Sequence, residues 1–412
     1  MSEPSAPAIQ RPLLWLVLLA AAGTFALTMG MRQSMGLFLN TLNTSTGLGI
    51  GSISLAFAFG QLWWGLTQPF AGIVADRIGA GRVLFVGVLL VALGTALTPF
   101  MHTTPGLIFA IGVLAAGGAG MAGPSVLMAA TTRLIEPAKR GMATGIVNAG
   151  GSFGQFLFAP IAQGLTVAVG WVAAMQAMAV MVLLALPAAW VLRGNARHLA
   201  VSGARPQTTR EAIRAALADP SYRLLCAGFF VCGFHVAFIA THLPGVVAAC
   251  QLPPSIGAWS LAVVGLFNIV GSFAMGWAIG YQGGRWRMKS LLSLVYATRG
   301  VAVLIFLLAP KTEFTMLVFA AVIGFTFLST VPPTAGLVAK FFGPTNMATL
   351  FGIVMLAHQL GGFLGAYFGG KAFEWTGSYD AIWIADILLA FGAALVHLPI
   401  KEARPALRPQ AA

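Results

Sequence analysis

Long apolar runs govern what this chain can become. Twelve stretches, each roughly as long as the ~20-residue helix that crosses a bilayer, succeed one another near 13–39, 50–74, 82–100, 105–132, 141–165, 169–192, 221–247, 256–280, 289–309, 314–338, 346–370 and 380–399. Only lipid can solvate that much apolar surface: 58% of the 412 residues are hydrophobic, 8% are charged and the mean hydropathy is +0.88. Too little polar surface remains to coat a water-soluble body. The expected fold is therefore an all-α membrane protein of twelve transmembrane helices, referred to below as spans 1 to 12. The first run is too long for a cleaved signal peptide and reads as a retained span.

Polarity divides the chain six and six. Residues 1–12 form an N-terminal segment, 13–192 a first six-helix bundle, 193–220 a linker, 221–399 a second bundle and 400–412 a tail. The linker carries Arg193, Arg197, Arg205, Arg210 and Arg214 with Glu211 and Asp219, and Thr209 to Leu217 reads as an amphipathic turn at the membrane surface. An internal repeat supports the division. A shift of 207 residues places Gly145-Ile146-Val147 on Gly352-Ile353-Val354, Gly154 on Gly361 and Phe156-Leu157 on Phe363-Leu364, so span 5 recurs as span 11. A shift of 204 brings Gly72 onto Gly276 and Asp76 onto Gly280. Paired six-helix halves are a common plan for transporters.

Charge sets the expected orientation. Nineteen of the 23 Lys and Arg residues fall in the N-terminal segment, the tail and the loops that follow even-numbered spans, whereas the opposite loops hold only Lys311 and Lys371. By the positive-inside rule both termini are cytoplasmic, as in a bacterial inner membrane protein. The net charge of +13 is then a topology marker facing anionic lipid, and no nucleic-acid partner is needed to explain it. Cys226, Cys232 and Cys250 lack metal-ligand spacing and read as small packing residues. The sequence offers no nucleophile, metal or phosphate-loop constellation, so no enzyme activity, cofactor or metal is expected. Energy should come from an ion gradient or from exchange, and a monomer is expected to suffice.

The loop after span 2 reads Gly72-Ile73-Val74-Ala75-Asp76-Arg77-Ile78-Gly79-Ala80-Gly81-Arg82. Its Gly-x3-Asp-Arg-x-Gly-x2-Arg spacing resembles the loop between helices 2 and 3 of the major facilitator superfamily, with Gly81 where a base is usual. The resemblance implies two pseudo-symmetric six-helix bundles working by alternating access, with Gly72, Asp76, Arg77, Gly79 and Arg82 as a conformational latch. The second copy of the loop keeps its bases and loses its acid, so the latch is expected in the first half only. Glycines at Gly117, Gly118, Gly120 and Gly123 in span 4, and at Gly361, Gly362, Gly365 and Gly369 in span 11, mark places where helices approach closely.

Polar side chains inside the spans are the functional candidates, because each is costly in hydrocarbon. Arg32 lies about two-thirds along span 1; it either snorkels to the outer headgroups or faces the central cavity. The string Met31-Arg32-Gln33-Ser34-Met35-Gly36-Leu37-Phe38 resembles the part of monocarboxylate porters in which a helix 1 cation meets the substrate carboxylate, which implies that role for Arg32. Where those porters carry an Asp/Arg pair in helix 8, this chain offers Trp259 and Asn268. Arg299 in span 9 and Asp386 in span 12 are expected as neighbours forming a structural ion pair, with Asp386 as a proton carrier the alternative. His235 and His242 lie seven residues apart on span 7 and His358 with Gln359 on span 11. His242 reads as a packing residue, and His235 and His358 as cavity groups able to exchange protons. Asn148 and Gln155, also seven apart on span 5, complete the expected substrate-binding set of Arg32, Asn148, Gln155, His235, Asn268, His358 and Gln359.

The expected function is secondary transport of a small organic anion, a monocarboxylate, coupled to protons or by exchange. The alternative is proton-driven export of hydrophobic or cationic compounds. Such an exporter would be expected to expose an acid in the first-half cavity, and between residues 11 and 210 the only acids are Asp76 and Glu136, both at loop ends.

Overall fold

Backbone groups that cannot bond to lipid close on themselves as helix, and helix is what the computed structural model contains throughout its spans. It describes residues 11–134, 140–193, 209–280, 286–343 and 347–402. Expectations that fall on the first ten residues, Lys139, Arg197, Arg205, Arg285, the tail beyond Glu402, and the side chains of Asp76, Arg133 and Arg140 lie outside the described residues.

Span 1 runs Arg11–Ser34, tightens into a 3-10 turn at Met35–Phe38 and continues as Leu39–Thr46. Span 2 is Ile50–Ile78 and span 3 is Ala80–Leu97. Span 4 opens at Thr104–Leu107, is π-helical over Ile108–Ala116 and ends as Gly117–Met121 and Pro124–Leu134. Span 5 is Arg140–Val169, and span 6 is Trp171–Leu183 with Leu186–Val191. A short helix, Thr209–Ala218, closes the linker. Spans 7, 8 and 9 are Pro220–Ala249, Pro254–Gly280 and Met288–Leu308. Span 10 breaks into Glu313–Thr326 and Val331–Phe342; span 11 is Met347–Thr376 and span 12 Asp380–His397.

Two departures from the sequence-derived boundaries have physical causes. Span 1 extends past residue 39 although Leu39–Thr46 is polar, because Leu39 and Leu42 are buried on its inner face while the hydroxyls of Thr44, Ser45 and Thr46 bond back to carbonyls of the same helix. Eleven of the described helices are long and apolar enough to cross a membrane by themselves. Span 2 is long enough but more polar, since Gln61, Gln68 and two tryptophans interrupt its apolar run. Of these side chains, Gln61 lines the cavity described below.

Spans 1–6 build one large apolar core and spans 7–12 another, which Ala159 of span 5 joins. The sequence repeat reappears as repeated packing. Span 5 lies on span 1 with Gly154 against the Ala26 carbonyl, and span 11 lies on span 7 with Gly361 against the Phe230 carbonyl. A side chain at either glycine would strike backbone, so close helix contact fixes the residue. Between spans 2 and 3 the chain reverses on Gly79 alone, at φ +94° and ψ 142°, a conformation costly for any residue with a Cβ.

The halves meet along two seams, span 2 against span 11 and span 5 against span 8, with span 7 also touching the 3-10 turn of span 1. An even number of spans brings the described chain ends to one face. Away from that face the seams are closed: Gly51 lies against Glu374 and Lys371, Ser54 against Gly370, Ala58 beside Ala366, and Gly36 on the Ala240 carbonyl. Toward the chain ends they part. Gly72 and Gly352 continue the faces of Gln61 and Gln359, and Gly145 and Gly276 continue those of Ser152 and Gly265. None of the four has a heavy atom within 4 Å of where a side chain would begin. The cleft between the halves therefore opens on the face that carries the chain ends.

Candidate functional site

The site begins with a guanidinium that the helix cannot hide. Arg32 sits on span 1 three residues before the 3-10 segment, where insertion scales put the cost of a cation at roughly 2.5–3.5 kcal/mol. It turns inward. One Nη donates to Gln61 Oε1 on span 2, the other approaches Met29 Sδ at 3.8 Å, and the guanidinium carbon lies 4.5 Å from the centroid of the Trp64 ring. Gln61 Nε2 donates in turn to Gln359 Oε1 across the seam at 3.0 Å. A chain of polar groups thus links the first half to span 11 at mid-membrane depth. No carboxylate lies within ion-pair distance of Arg32 among the described residues. A planar cation held by a neutral amide and an aromatic face keeps donors available for a carboxylate, which it can engage in bidentate fashion.

Beside Arg32 is a cavity of about 50 Å³ bounded by spans 1, 2, 3, 4 and 7. Its wall is mostly apolar, with Met31, Met35, Phe57, Val91 and Ile111, and its polar contributors are Arg32, Gln33, Gln61, Thr95 and Thr241. Apolar walls with a few placed polar groups are the usual make-up of a small-molecule site.

The second intramembrane cation is treated differently. Arg299 is 1% exposed. Its Nη1 donates to His235 Nδ1 at 3.2 Å, and Nη2 donates to the carbonyls of Thr326 and, at 3.2 Å, Phe327. Because arginine can only donate, His235 accepts at Nδ1 and carries its proton on Nε2, which faces both Oδ1 and the backbone oxygen of Asp386 at 3.1 Å. The expected direct contact of Arg299 with Asp386 is thus mediated by an imidazole. Arg299 also satisfies carbonyls freed where span 10 breaks, and Cys232 Sγ stands 3.9 Å from its Nη1 and 3.1 Å from Thr330 Oγ1.

The remaining expected site residues scatter. His235 is buried in the second half, facing spans 9 and 12 instead of the cavity. His358 packs in the span 7 and span 11 contact, its ring 4.9 Å from that of Phe229, and its Nδ1 has no partner among the described residues. His242 donates from Nε2 to the Ala366 carbonyl, 2.7 Å away. Asn268 bridges the halves, donating to Ser152 Oγ at 2.8 Å and accepting from Leu328 N at the span 10 break at 3.0 Å. Gln155 is buried where spans 5 and 8 meet, next to Gly265. Asn148 is exposed on span 5. In the loop after span 2, Arg77 and Arg82 are exposed, and Gly81 lies under the Ala189 carbonyl and Arg193 of span 6, which leaves no room for a base there.

Sequence reasoning passed over Gln61 and Trp64. Gln61, Trp64 and Gln68 stand three and four residues apart, one face of a helix, and a polar face in an apolar run was the available marker.

Known proteins match most of the chain. The model of the Major Facilitator Superfamily matches residues 14–366. Monocarboxylate transporter 13 of Rattus norvegicus is 25% identical over 93% of this chain and 89% of its own length. The oxalate:formate antiporter of Oxalobacter formigenes is 23% identical over 93% of this chain and 91% of its own. A crystal structure of a bacterial homologue of the human lysosomal transporter Spinster, inward-facing and occupied, superposes with a TM-score of 0.72 at 15% identity, covering 94% of this chain and 97% of that one.

Proposed function

Because the chain belongs to the Major Facilitator Superfamily, we propose that this multi-pass membrane transporter carries a small organic anion, a monocarboxylate, by alternating access. The observation that carries the proposal is Arg32: a permanent cation turned to a mid-membrane cavity, steadied by Gln61 and Trp64, with no described carboxylate beside it. A fixed charge left without a fixed counter-charge suits a counter-charge that comes and goes. Relatives named for monocarboxylates and for oxalate and formate support the anion reading.

In this proposal Arg32 anchors the carboxylate, and Gln61 and Gln359 couple its occupancy to the seam between the halves. The parted seams at Gly72, Gly145, Gly276 and Gly352 are the surfaces that close when the cavity opens to the other side. Placing the termini in the cytoplasm by the charge of the loops makes the described conformation inward-facing in a bacterial inner membrane. For proton coupling we propose the Asp386, His235 and Arg299 cluster, in which a carboxylate and an imidazole share a fully buried network; exchange is the alternative.

Uptake of labelled carboxylates into proteoliposomes, with and without an imposed pH gradient, tests these readings in one assay. Saturable carboxylate uptake that collapses in Arg32→Gln is the expected result. Wild-type uptake in that variant would remove the anchor, and transport of hydrophobic cations in place of carboxylates would favour an exporter. Uptake indifferent to the pH gradient would leave exchange as the mode.

A further inference from the structure

Resting on the anion reading, we propose that the cavity beside Arg32 is a tail pocket that sets the length of acid the transporter accepts, with Thr95 as the one hydrogen-bonding point on its far wall. Three observations converge there. The first is size. A void of about 50 Å³ holds about four water-sized groups at roughly 10–15 Å³ each, so with the carboxylate on Arg32 it takes a tail of only two or three carbons.

The second observation is the wall. Ile111, Ala115 and Ala116, which line the pocket, all lie in the stretch of span 4 that is π-helical, Ile108–Ala116. A π turn is rare and is frequently found at functional sites. Gly60 of span 2 lines the pocket too and packs directly on this segment, where a Cβ would meet the Ala116 methyl at 3.3 Å. Ala115 and Ala116 leave on this wall a space that larger residues would fill.

The third is Thr95. It is fully buried, it lines the pocket, and its hydroxyl has no partner among the described residues. Other helical threonines of this chain, Thr24, Thr28, Thr98 and Thr131, bond back to a carbonyl one turn earlier. A buried hydroxyl left unbonded is costly, and an oxygen on the tail of a bound acid would satisfy it.

The test is a chain-length profile in proteoliposomes loaded with the full-length protein, using acetate, propionate, butyrate, valerate, hexanoate and 3-hydroxybutyrate. In the wild type, uptake is expected to fall at least tenfold between butyrate and hexanoate. Ile111→Ala should move that fall by one or two carbons toward longer acids, with the milder Ile111→Val moving it less; Ala115→Val should move it toward shorter ones. Thr95→Val should abolish a several-fold preference for 3-hydroxybutyrate over butyrate and leave the length profile in place. An unchanged profile in the active Ile111 variants, or an unchanged preference in Thr95→Val, overturns the tail pocket while leaving Arg32 as anchor. Absence of carboxylate uptake by the wild type overturns the pocket and the anion reading together.

Discussion

Two arginines, Arg32 and Arg299, lie deep within the apolar runs, away from the basic loops, and the protein solves their burial in opposite ways. Arg299 is buried against fixed partners: two carbonyls from the broken turn of span 10, the ring of His235, and beyond that ring the carboxylate of Asp386, with only its Nε left unbonded among the described residues. Arg32 has one glutamine oxygen, a thioether, an indole face and an adjoining void. The same side chain at comparable cost is structural in one place and unfinished in the other. The supply of fixed acceptors around the charge, more than the presence of a charge, separates a strut from a binding site.

That contrast can be broken by substitution. Arg299→Leu should do the greatest harm, because it strands the span 10 carbonyls and leaves Asp386 without a cation; removing one partner of a buried pair costs about 3–5 kcal/mol. Thermal unfolding in detergent reads it, and a wild-type melting temperature would contradict the structural role. Arg32→Gln should do the reverse, leaving the melting temperature close to that of wild type. Substrate affinity should weaken by roughly 30- to 150-fold, the equivalent of about 2–3 kcal/mol for charged hydrogen bonds. Equal loss of stability in both variants would erase the distinction between the sites.

Asp386→Asn keeps the shape of the cluster and removes its anion. It should cost about 1–3 kcal/mol of stability, and accumulation driven by a pH gradient should fail while substrate exchange persists. Full accumulation in that variant would take Asp386 out of the coupling machinery. The smallest effect is expected at Gly352→Leu, which adds bulk to a face now parted from its partner. Turnover should drop about tenfold, a barrier increase near 1.4 kcal/mol, with equilibrium binding of substrate unaltered. Normal turnover there would mean that the four parted glycines do not come together.

The halves themselves repeat the lesson on a larger scale. At one seam span 2 supplies Gln61 against Gly362 of span 11; at the other span 5 supplies Gln155 against Gly265 of span 8. Gln155 corresponds to Gly362 under the 207-residue shift, and Gln61 to Gly265 under the 204-residue shift. Each seam thus pairs one glutamine with one glycine, with the roles exchanged. The backbone plan is symmetric, and the polar groups laid on it are not.

Length of apolar run, spacing of glycines, loop charge and internal repeat determined by themselves that this chain is a twelve-helix membrane protein in two related halves. Those are properties of local sequence acting against a uniform solvent, so they need no knowledge of neighbours. Arg32 stood out for the same reason, as a charge where lipid forbids one. Which polar groups share a site was decided only by tertiary structure. His235 and His358 carry the residue type expected of a cavity yet face into packed helices, while Gln61 and Trp64 reach Arg32 from another span. A helix fixes the angle of each side chain about its own axis and says nothing of what the next helix presents to it. That facing surface is what makes one buried arginine a finished joint and the other an open seat.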